Sequence, residues 1–267
     1  MDIDPTTSEA PDDPIHDKEM PLLDHLAELR KRLLWSAVAF LVAFLVSYYY
    51  AKQVYYFLAQ PLVHIMEQRG QKPELIYTAL YEAFFTYVKV AVFSAAFVSF
   101  PVIASQIWLF IAPGLYRSEK RALLPFLVAT PILFFGGGAL AYYFIFPNAW
   151  RFFLSFQTSP TNQHFQIDVM PRVSDYLNLV MKLIFAFGLC FELPVLLTLL
   201  GKVGIITAAG LRKYRRYAYV GCFIVAAILT PPDVFTMTGL AIPLIALFEI
   251  SIFAVKLVQP KSVVVDE

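Results

Sequence analysis

Apolar residues along this chain are gathered into six long segments that polar stretches separate. A helix rises about 1.5 Å per residue, so about 20 apolar residues cross a hydrocarbon core of about 30 Å. The segments therefore predict six transmembrane helices, at residues 33–50, 87–111, 122–146, 176–200, 217–230 and 234–255. The fifth helix would reach only about 21 Å, which predicts local thinning of the bilayer or shielding by neighbouring helices.

The composition of the chain supports an all-α integral membrane protein. Hydrophobic residues make up 59% of the chain, charged residues make up 15%, and the mean hydropathy is +0.64. A water-soluble domain of 267 residues could not bury so much apolar surface in one core. The net charge of +1 gives no indication of nucleic-acid binding. We expect a disordered acidic tail at residues 1–21, the membrane domain at 22–258 and a short cytoplasmic tail at 259–267.

The distribution of basic residues predicts the orientation of the spans. Lys and Arg are concentrated before the first span, between the second and third spans, and before the fifth span, and such short basic connections stay in the cytoplasm. The residues concerned are Arg30, Lys31, Arg32, Arg117, Lys120, Arg121, Arg212, Lys213, Arg215 and Arg216. Both termini are therefore expected to be cytoplasmic. Prolines inside the spans and the glycines at 136–138 predict bent helices that form a concave bundle.

The connections on the outer side are longer. One connection, at residues 51–86, contains Pro61 and a helix-like stretch at 60–68. The other, at 147–175, contains an alternating pattern that predicts a short extended segment. Between the last two spans stand only Pro231, Pro232 and Asp233, which predict a very tight hairpin. Asp233 is also well placed to be the N-cap of the sixth helix.

One carboxylate, that of Glu192, stands near the middle of the fourth apolar segment. An acid at membrane depth indicates a functional site by default, and we expect it to face other helices or a polar cavity. The alternative is a structural interhelical hydrogen bond made by a protonated Glu192. Lys182 lies about 15 Å away along the helix, too far for a direct ion pair. Glu249, near the cytoplasmic end of the last span, ranks below Glu192 because it can reach the interface.

Two cytoplasmic carboxylates, those of Glu28 and Glu119, interrupt basic sequence in HLAELRKRLLW and LYRSEKRALL. An acid that is surrounded by basic residues can hold a cationic ligand. The alternative for Glu28 is an i,i+4 pair with Arg32, which is worth a few tenths of a kcal/mol. The alternative for Glu119 is a favourable place in the first turn of the third helix.

Enzyme motifs are absent from the sequence, which lacks G-x-S-x-G, H-E-x-x-H, C-x-x-C and any Gly-rich phosphate loop. The histidines lack metal-ligand spacing. Cys190 and Cys222 both lie in apolar runs, where cysteine behaves as a small buried residue and not as part of a disulfide framework. We therefore expect no enzyme activity, no metal and no cofactor.

Several stretches together resemble the TatC family, the multispanning core of the twin-arginine protein translocase. They are HLAELRKRLL, QIWLFIAPGLYRSEKR, FGLCFELPV, LTPPDVFT and LAIPLIALFEISIF, which cover about residues 22–258 in the family's order. The resemblance implies a glove-shaped, six-helix receptor of the bacterial cytoplasmic (inner) membrane. Such a receptor binds signal peptides with two consecutive arginines and supports export of folded proteins driven by the proton-motive force. The implied partners are single-span subunits of the TatA and TatB type, further copies of the chain and the lipid bilayer.

The resemblance also implies roles for individual residues. The signal-peptide site would consist of two carboxylates and the motif residues around them: Glu28, Arg30, Leu33, Phe110 and Glu119. The other implied positions are the intramembrane acid, the hairpin near the partner subunits and an outer-loop proline: Glu192, Pro231, Pro232, Asp233 and Pro61. Carboxylates suit this role because they accept the planar guanidinium fork through paired charge-assisted hydrogen bonds that Lys matches poorly. The chain departs from the family at Met237, where a polar Gln is frequent, so an apolar side chain stands at the position that would make a polar contact with the partner subunits.

Two other function classes remain open at this point. A proton-coupled secondary transporter would use Glu192 as a protonatable carrier and Lys182 as a modulator, and it would predict repeat symmetry, which we do not find in the sequence. A passive scaffold for other membrane proteins would make the cytoplasmic acids dispensable.

Overall fold

The computed structural model describes residues 22–111, 124–156, 170–230 and 233–258. The helices in these ranges are α1 Leu22–Tyr49, α2 Ala51–Gln68, α3 Glu82–Ile111, α4 Leu124–Leu140, a π-helical turn Ala141–Ile145, α5 Phe146–Leu154, α6 Val173–Phe191, α7 Leu193–Lys202, α8 Ala208–Lys213, α9 Arg215–Leu229 and α10 Val234–Val258. The four ranges contain no strand apart from an isolated bridge between Ile76 and Arg172. The predicted all-α class is therefore confirmed. The predictions that concern both tails, Glu119, the extended segment at 165–169, Pro231 and Pro232 lie outside the described residues.

Five helical stretches in the described ranges are long and apolar enough to cross a membrane. They are Leu26–Tyr49, Glu82–Phe110, Leu124–Leu154, Val173–Lys202 and Val234–Val258. They correspond to the first, second, third, fourth and sixth predicted spans. The predicted fifth span corresponds to α9, which has only 15 residues and is about 22 Å long. A helix of this length is as short as the sequence predicted.

The first two helices are longer than the predicted segments. Helix α1 begins at Leu22, well before the apolar run, and includes the basic stretch that precedes it. The residues there are mostly Ala, Leu, Glu, Lys and Arg, which favour helix regardless of hydropathy. Glu28 and Arg32 therefore lie on a regular helix, α1, one turn apart.

Helix α2 occupies all of Ala51–Gln68, with Pro61 in its interior.

The third span continues beyond the predicted boundary. Residue Pro147 was predicted to begin an outer loop, but the chain stays helical through α5 to Leu154, so that boundary was wrong. The π-helical turn Ala141–Ile145 changes the hydrogen-bond register immediately before α5. Pro147 then falls in the first turn of α5, where a missing N–H group costs little.

Close packing of α4 against α6 forms the centre of the bundle. A Cβ atom built on Gly137 would lie 2.6 Å from the carbonyl oxygen of Phe187, and one built on Gly188 would lie 2.7 Å from the ring of Phe134. The rings of Phe134 and Phe187 are fully buried. Small residues permit this approach, as is usual where membrane helices pack without a hydrophobic driving force between them.

The carboxylate of Glu82, at the start of α3, joins the connection before α3 to the start of α6. Its Oε2 atom accepts from the backbone N–H and the hydroxyl of Thr78, at 2.8 and 3.1 Å, and from the N–H of Ala79 at 3.3 Å. Its Oε1 atom accepts from the N–H of Ser174 at 3.4 Å, and Arg172 lies 3.8 Å from Oε2. Next to it, Ile76 donates its N–H group to the carbonyl of Pro171. Both connections are thus fixed against the N-terminal ends of α3 and α6.

Candidate functional site

Glu28 and Arg32 belong to the face of α1 that packs on α3. Along the N-terminal part of α1, residues 26–35, these are the half-buried positions, while the others with described side chains are exposed. The spacing of four residues places them on one side of the helix. Ser36 continues the same stripe, and its hydroxyl donates to the carbonyl of Arg32 at 3.0 Å. The neighbour that covers this stripe is α3, so the two helices together determine the surroundings of Glu28.

The guanidinium of Arg32 joins Glu28 to α3. Its Nη2 and Nε atoms both donate to Oε1 of Glu28, at 2.9 and 3.3 Å. Its Nη1 atom donates to Oε1 of Gln106 on α3, at 3.2 Å. The side chains of Glu28 and Arg32 are 23% and 28% exposed, so they are partly shielded from water. The i,i+4 pair that the sequence offered as an alternative is therefore present, and a contact with a second helix reinforces it.

An open cavity of about 550 Å³ lies against this pair. Its walls come from one face of α1 and from α3, and its lining residues are Ala27, Glu28, Lys31, Arg32, Trp35 and Gln106. Lys31 and Trp35 are exposed beside it. The cavity offers a carboxylate, an amide and an indole ring within one volume. Such groups suit a guanidinium, which forms hydrogen bonds through its edge and stacks through its face.

The other residues in the predicted signal-peptide set lie at different places. Arg30 and Leu33 are exposed on α1, outside the stripe that faces α3, and Leu33 is 66% exposed. Phe110 is half-buried on α3, one turn after Gln106 and on the same side of the helix. Glu119 lies outside the described residues. The structure thus places Glu28 on the side of α1 that faces α3, Phe110 on α3 one turn after Gln106, and Arg30 and Leu33 on the free side of α1.

Glu192 lies at a break in the fourth span. Helix α6 ends at Phe191 and α7 begins at Leu193. Pro194 has no N–H group to continue the helical pattern across this point. Both carboxylate oxygens of Glu192 are buried and have no hydrogen-bond partner among the described residues. The hydroxyl of Thr130 interacts with this carboxylate without reaching hydrogen-bond geometry.

A second polar contact involves the same threonine. Trp108 on α3 donates its indole N–H to the hydroxyl of Thr130 on α4, at 3.1 Å, and both side chains are buried. Thr130 is therefore already an acceptor, and only its own hydroxyl hydrogen remains for Glu192. The structure agrees with the expectation that Glu192 faces other helices, and it shows no interhelical hydrogen bond within the described ranges that would satisfy the acid.

The remaining polar predictions concern the last two spans. Asp233 accepts the N–H of Thr236 at 2.8 Å and also bonds the hydroxyl of that residue, so its predicted N-cap role is confirmed. Glu249 accepts from Arg215 at 2.6 Å and from the hydroxyl of Tyr219 at 2.5 Å, which joins α10 to α9. Lys182 donates to the carbonyl of Ile228 at 3.4 Å.

Met237, the position at which the chain departs from the family, is partly buried and packs against the main apolar core. Among the described residues, no group of three or more His, Cys, Asp and Glu side chains could hold a metal ion.

Two residues that form polar contacts between distant parts of the chain, Gln106 and Glu82, were not singled out from the sequence. Gln106 stands in the apolar context SQIWLF, and Glu82 stands in LYEAFF. Each is a polar side chain at the end of an apolar span, which is a weak signal because interfacial residues are commonly polar. Their partners lie 74 and 92 positions away in the chain, at Arg32 and Ser174, and only the tertiary structure reveals these contacts.

Comparisons with known proteins agree on one family. A family model described as Sec-independent protein translocase protein (TatC) matches residues 24–243. A TatC protein of Magnetococcus marinus is 52% identical over 237 residues, which cover 89% of this chain and 84% of the relative. A TatC protein of Escherichia coli is 43% identical over 233 residues, which cover 87% of each chain.

A solved structure agrees with these relatives. A crystal structure of a twin-arginine translocase receptor, TatC, matches with a TM-score of 0.73 and 38% identity, and the match covers 88% of this chain and 99% of that one. The similarity confirms the six-span fold class and the family resemblance that the sequence motifs indicated. It also confirms, together with the apolar spans, a multi-pass protein of the bacterial inner membrane.

Proposed function

The chain belongs to the TatC family of Sec-independent protein translocase proteins, and on this premise we propose that it is the receptor of a twin-arginine translocase. In this role it binds signal peptides with two consecutive arginines and supports the export of folded proteins, driven by the proton-motive force. The cavity beside Glu28 is the proposed site for one of the two arginines. Glu119 is the proposed partner for the other, as the motif resemblance implies.

The observation that supports this site is that the Glu28 carboxylate already holds a guanidinium, that of Arg32. A carboxylate that is partly shielded and open to a cavity provides the charge and the geometry that an arginine side chain needs. An amide, Gln106, and an indole, Trp35, stand in the same cavity. The position at the cytoplasmic end of α1 also suits a ligand that approaches before it crosses the membrane, given the proposed orientation with both termini in the cytoplasm.

The apolar part of a signal peptide needs a lipid-like surface next to this site. Helix α1 presents exposed apolar side chains along its free side, and Arg30 and Leu33 begin that side. We place the apolar segment along this face, where those two residues would contact it. Glu192 would supply a polar point at membrane depth, either to the peptide or to a single-span subunit of the TatA or TatB type.

The alternative function, a proton-coupled secondary transporter that uses Glu192, is not favoured, because the family assignment is to translocase components. For the same reason we propose that the chain acts as a receptor and not as an enzyme.

A binding titration tests the proposal. A synthetic signal peptide with two arginines, and the same peptide with two lysines, would be titrated against the purified protein in nanodiscs. Glu28→Gln removes one charge-assisted contact, worth roughly 1.5 to 3 kcal/mol, so binding of the arginine peptide should weaken about tenfold to a hundredfold. The lysine peptide should bind weakly to the unaltered protein and lose less. Glu119→Gln should give the same pattern.

Glu74→Gln is the matched control, because Glu74 is an exposed acid in the outer connection. It should bind both peptides like the unaltered protein. Equal losses for the arginine and lysine peptides at both cytoplasmic acids would contradict direct contact, even if export stopped.

A further inference from the structure

We propose that Arg32 is a built-in competitor for the peptide arginine: it occupies one oxygen of the Glu28 carboxylate in the empty receptor, and it must be displaced before a ligand guanidinium can bind both oxygens. The inference rests on the proposed function and adds an autoinhibitory step to the same site. Arg32 carries the same functional group as the ligand, and it already bonds Oε1, one of the two oxygens that the ligand would need. The affinity for a signal peptide is therefore the outcome of an exchange between two guanidinium groups.

The contacts of Arg32 show that the occupied state is specific. Two of its nitrogens donate to one oxygen of Glu28, Oε1, while the third donates to Gln106 on another helix. An i,i+4 pair on an exposed helix would have no such second anchor. Lys31, the neighbouring cation, also lines the cavity, but it is exposed and makes no hydrogen bond or ion pair to a described residue. The structure thus distinguishes a fixed cation from a solvated one at adjacent positions.

The geometry also indicates why a ligand arginine must displace Arg32. Oε2 of Glu28 forms no hydrogen bond within the described part of the chain, so a single donor could reach it with Arg32 still in place. A guanidinium that binds in the bidentate way needs both oxygens, and Oε1 is occupied. An ammonium group needs only one oxygen. Displacement is therefore required of an arginine ligand and not of a lysine ligand.

The consequence is a receptor whose carboxylate is never left unpaired. A half-buried carboxylate without a partner is costly, and an empty one would attract any cation. Occupation by Arg32 avoids both effects, at the expense of part of the ligand affinity. When the ligand departs, Arg32 returns to Glu28, which favours release of the peptide to later steps of transport.

The test compares Arg32→Gln with the matched control Lys31→Gln, which removes the same charge from the same cavity. Both variants lose repulsion toward a cationic peptide, so Lys31→Gln should tighten the binding of both peptides alike, by less than about twofold. Arg32→Gln also removes the competitor. It should tighten the arginine peptide about fivefold, equivalent to about 1 kcal/mol, and tighten the lysine peptide no more than Lys31→Gln does.

A second variant, Arg32→Lys, distinguishes the effect of the guanidinium group from the effect of the positive charge. Arg32→Lys keeps the charge but has all its donors on a single nitrogen, so it does not reproduce the planar fork that reaches Glu28 and Gln106 through separate nitrogens. It should bind the arginine peptide about threefold more tightly than the unaltered protein. This variant also serves if Arg32→Gln fails to fold, which size-exclusion chromatography in detergent would reveal.

The outcomes distinguish the proposed binding site at Glu28 from the competitor role of Arg32. If both Arg32 variants bind the arginine peptide as the unaltered protein does or more weakly, or if Arg32→Gln matches Lys31→Gln, the competitor role is refuted. Binding that survives Glu28→Gln unchanged refutes the proposed site itself, and with it the competitor role. Loss of binding in Glu28→Gln with no gain in the Arg32 variants leaves the site in place and refutes only the competitor.

Discussion

The contacts of Glu82 predict that its carboxylate stabilises the folded conformation of the segment before α3 and of the start of α6. Glu82 is only 7% exposed, and it accepts from Thr78, Ala79 and Ser174. The change that tests it with the least loss of volume is Glu82→Gln. One side-chain oxygen would become an amide nitrogen, which cannot accept a hydrogen bond. The groups that donate to that oxygen in the unaltered protein would then face an N–H donor.

The size of the effect follows from these contacts. A hydrogen bond to a charged group is worth about 1.5 to 3 kcal/mol net, and a neutral one about 0.5 to 1.5 kcal/mol. The variant loses the Ser174 bond and the charge assistance on the two shorter bonds from Thr78, at 2.8 and 3.1 Å. Thr78 is exposed and can bond water in their place. We therefore expect a loss of about 2 kcal/mol in the free energy of local opening.

Hydrogen exchange measured by mass spectrometry in detergent checks this value. Opening that costs about 2 kcal/mol less speeds the exchange of the Thr78, Ala79 and Ser174 amides about 30-fold. Exchange in the middle of α6 should not change.

Glu74→Gln is the control in the same connection, since Glu74 is exposed and forms no hydrogen bond or ion pair with the described residues. Glu82→Ala should exceed Glu82→Gln in effect, because it removes both acceptors. Unchanged exchange at Thr78 and Ser174 in Glu82→Gln would refute the role assigned to this carboxylate.

Three further predictions concern packing, the membrane acid and orientation. Gly137→Ala should destabilise the bundle by about 1 to 3 kcal/mol, because its Cβ meets the backbone of α6, whereas Gly136→Ala, with nothing within 4 Å, should be at least as stable as the unaltered protein in a thermal scan, because Ala favours helix more than Gly does. Glu192→Leu should insert and fold, judged by its amount in the membrane, but lose export of a reporter protein, and Glu192→Gln should be milder; full export by the Leu variant would reduce the acid to packing. In a background without native cysteines, a cysteine at Lys213 should react only from the cytoplasm and one at Lys72 only from outside, and labelling from the opposite sides would overturn the orientation.

Hydropathy predicted the membrane-crossing helices well, because burial in lipid requires long apolar runs and little else. The ends of the helices were less predictable. Helix α1 extends into polar sequence as far as Leu22, and the third span continues through Pro147 to Leu154. The first boundary depends on helix propensity in water, and the second on a π-helical turn that adjusts the register before the proline. Neither feature changes the hydropathy of the sequence.

The local contacts in the candidate site could be predicted, and the tertiary ones could not. The spacing of Glu28 and Arg32 is enough to predict their pairing on one helix. Gln106, which holds the same guanidinium from α3, lies far away in the chain, and nothing in its own surroundings indicates this partner. The difference matters for function, because the contact with a second helix distinguishes a fixed competitor from an ordinary surface pair.

Two of the acids that the sequence singled out, Glu28 and Glu192, differ in how the fold satisfies them. Glu28 has a cationic partner within its own helix, so a ligand has to replace that partner. Glu192 has buried oxygens without a hydrogen bond from any described residue, and an ionised group in that state is costly at membrane depth. A proton or a polar group from another molecule relieves that cost. The first acid therefore suits reversible recognition at the N-terminal end of α1, and the second suits a contact that forms only when a peptide or a partner subunit enters the membrane beside it.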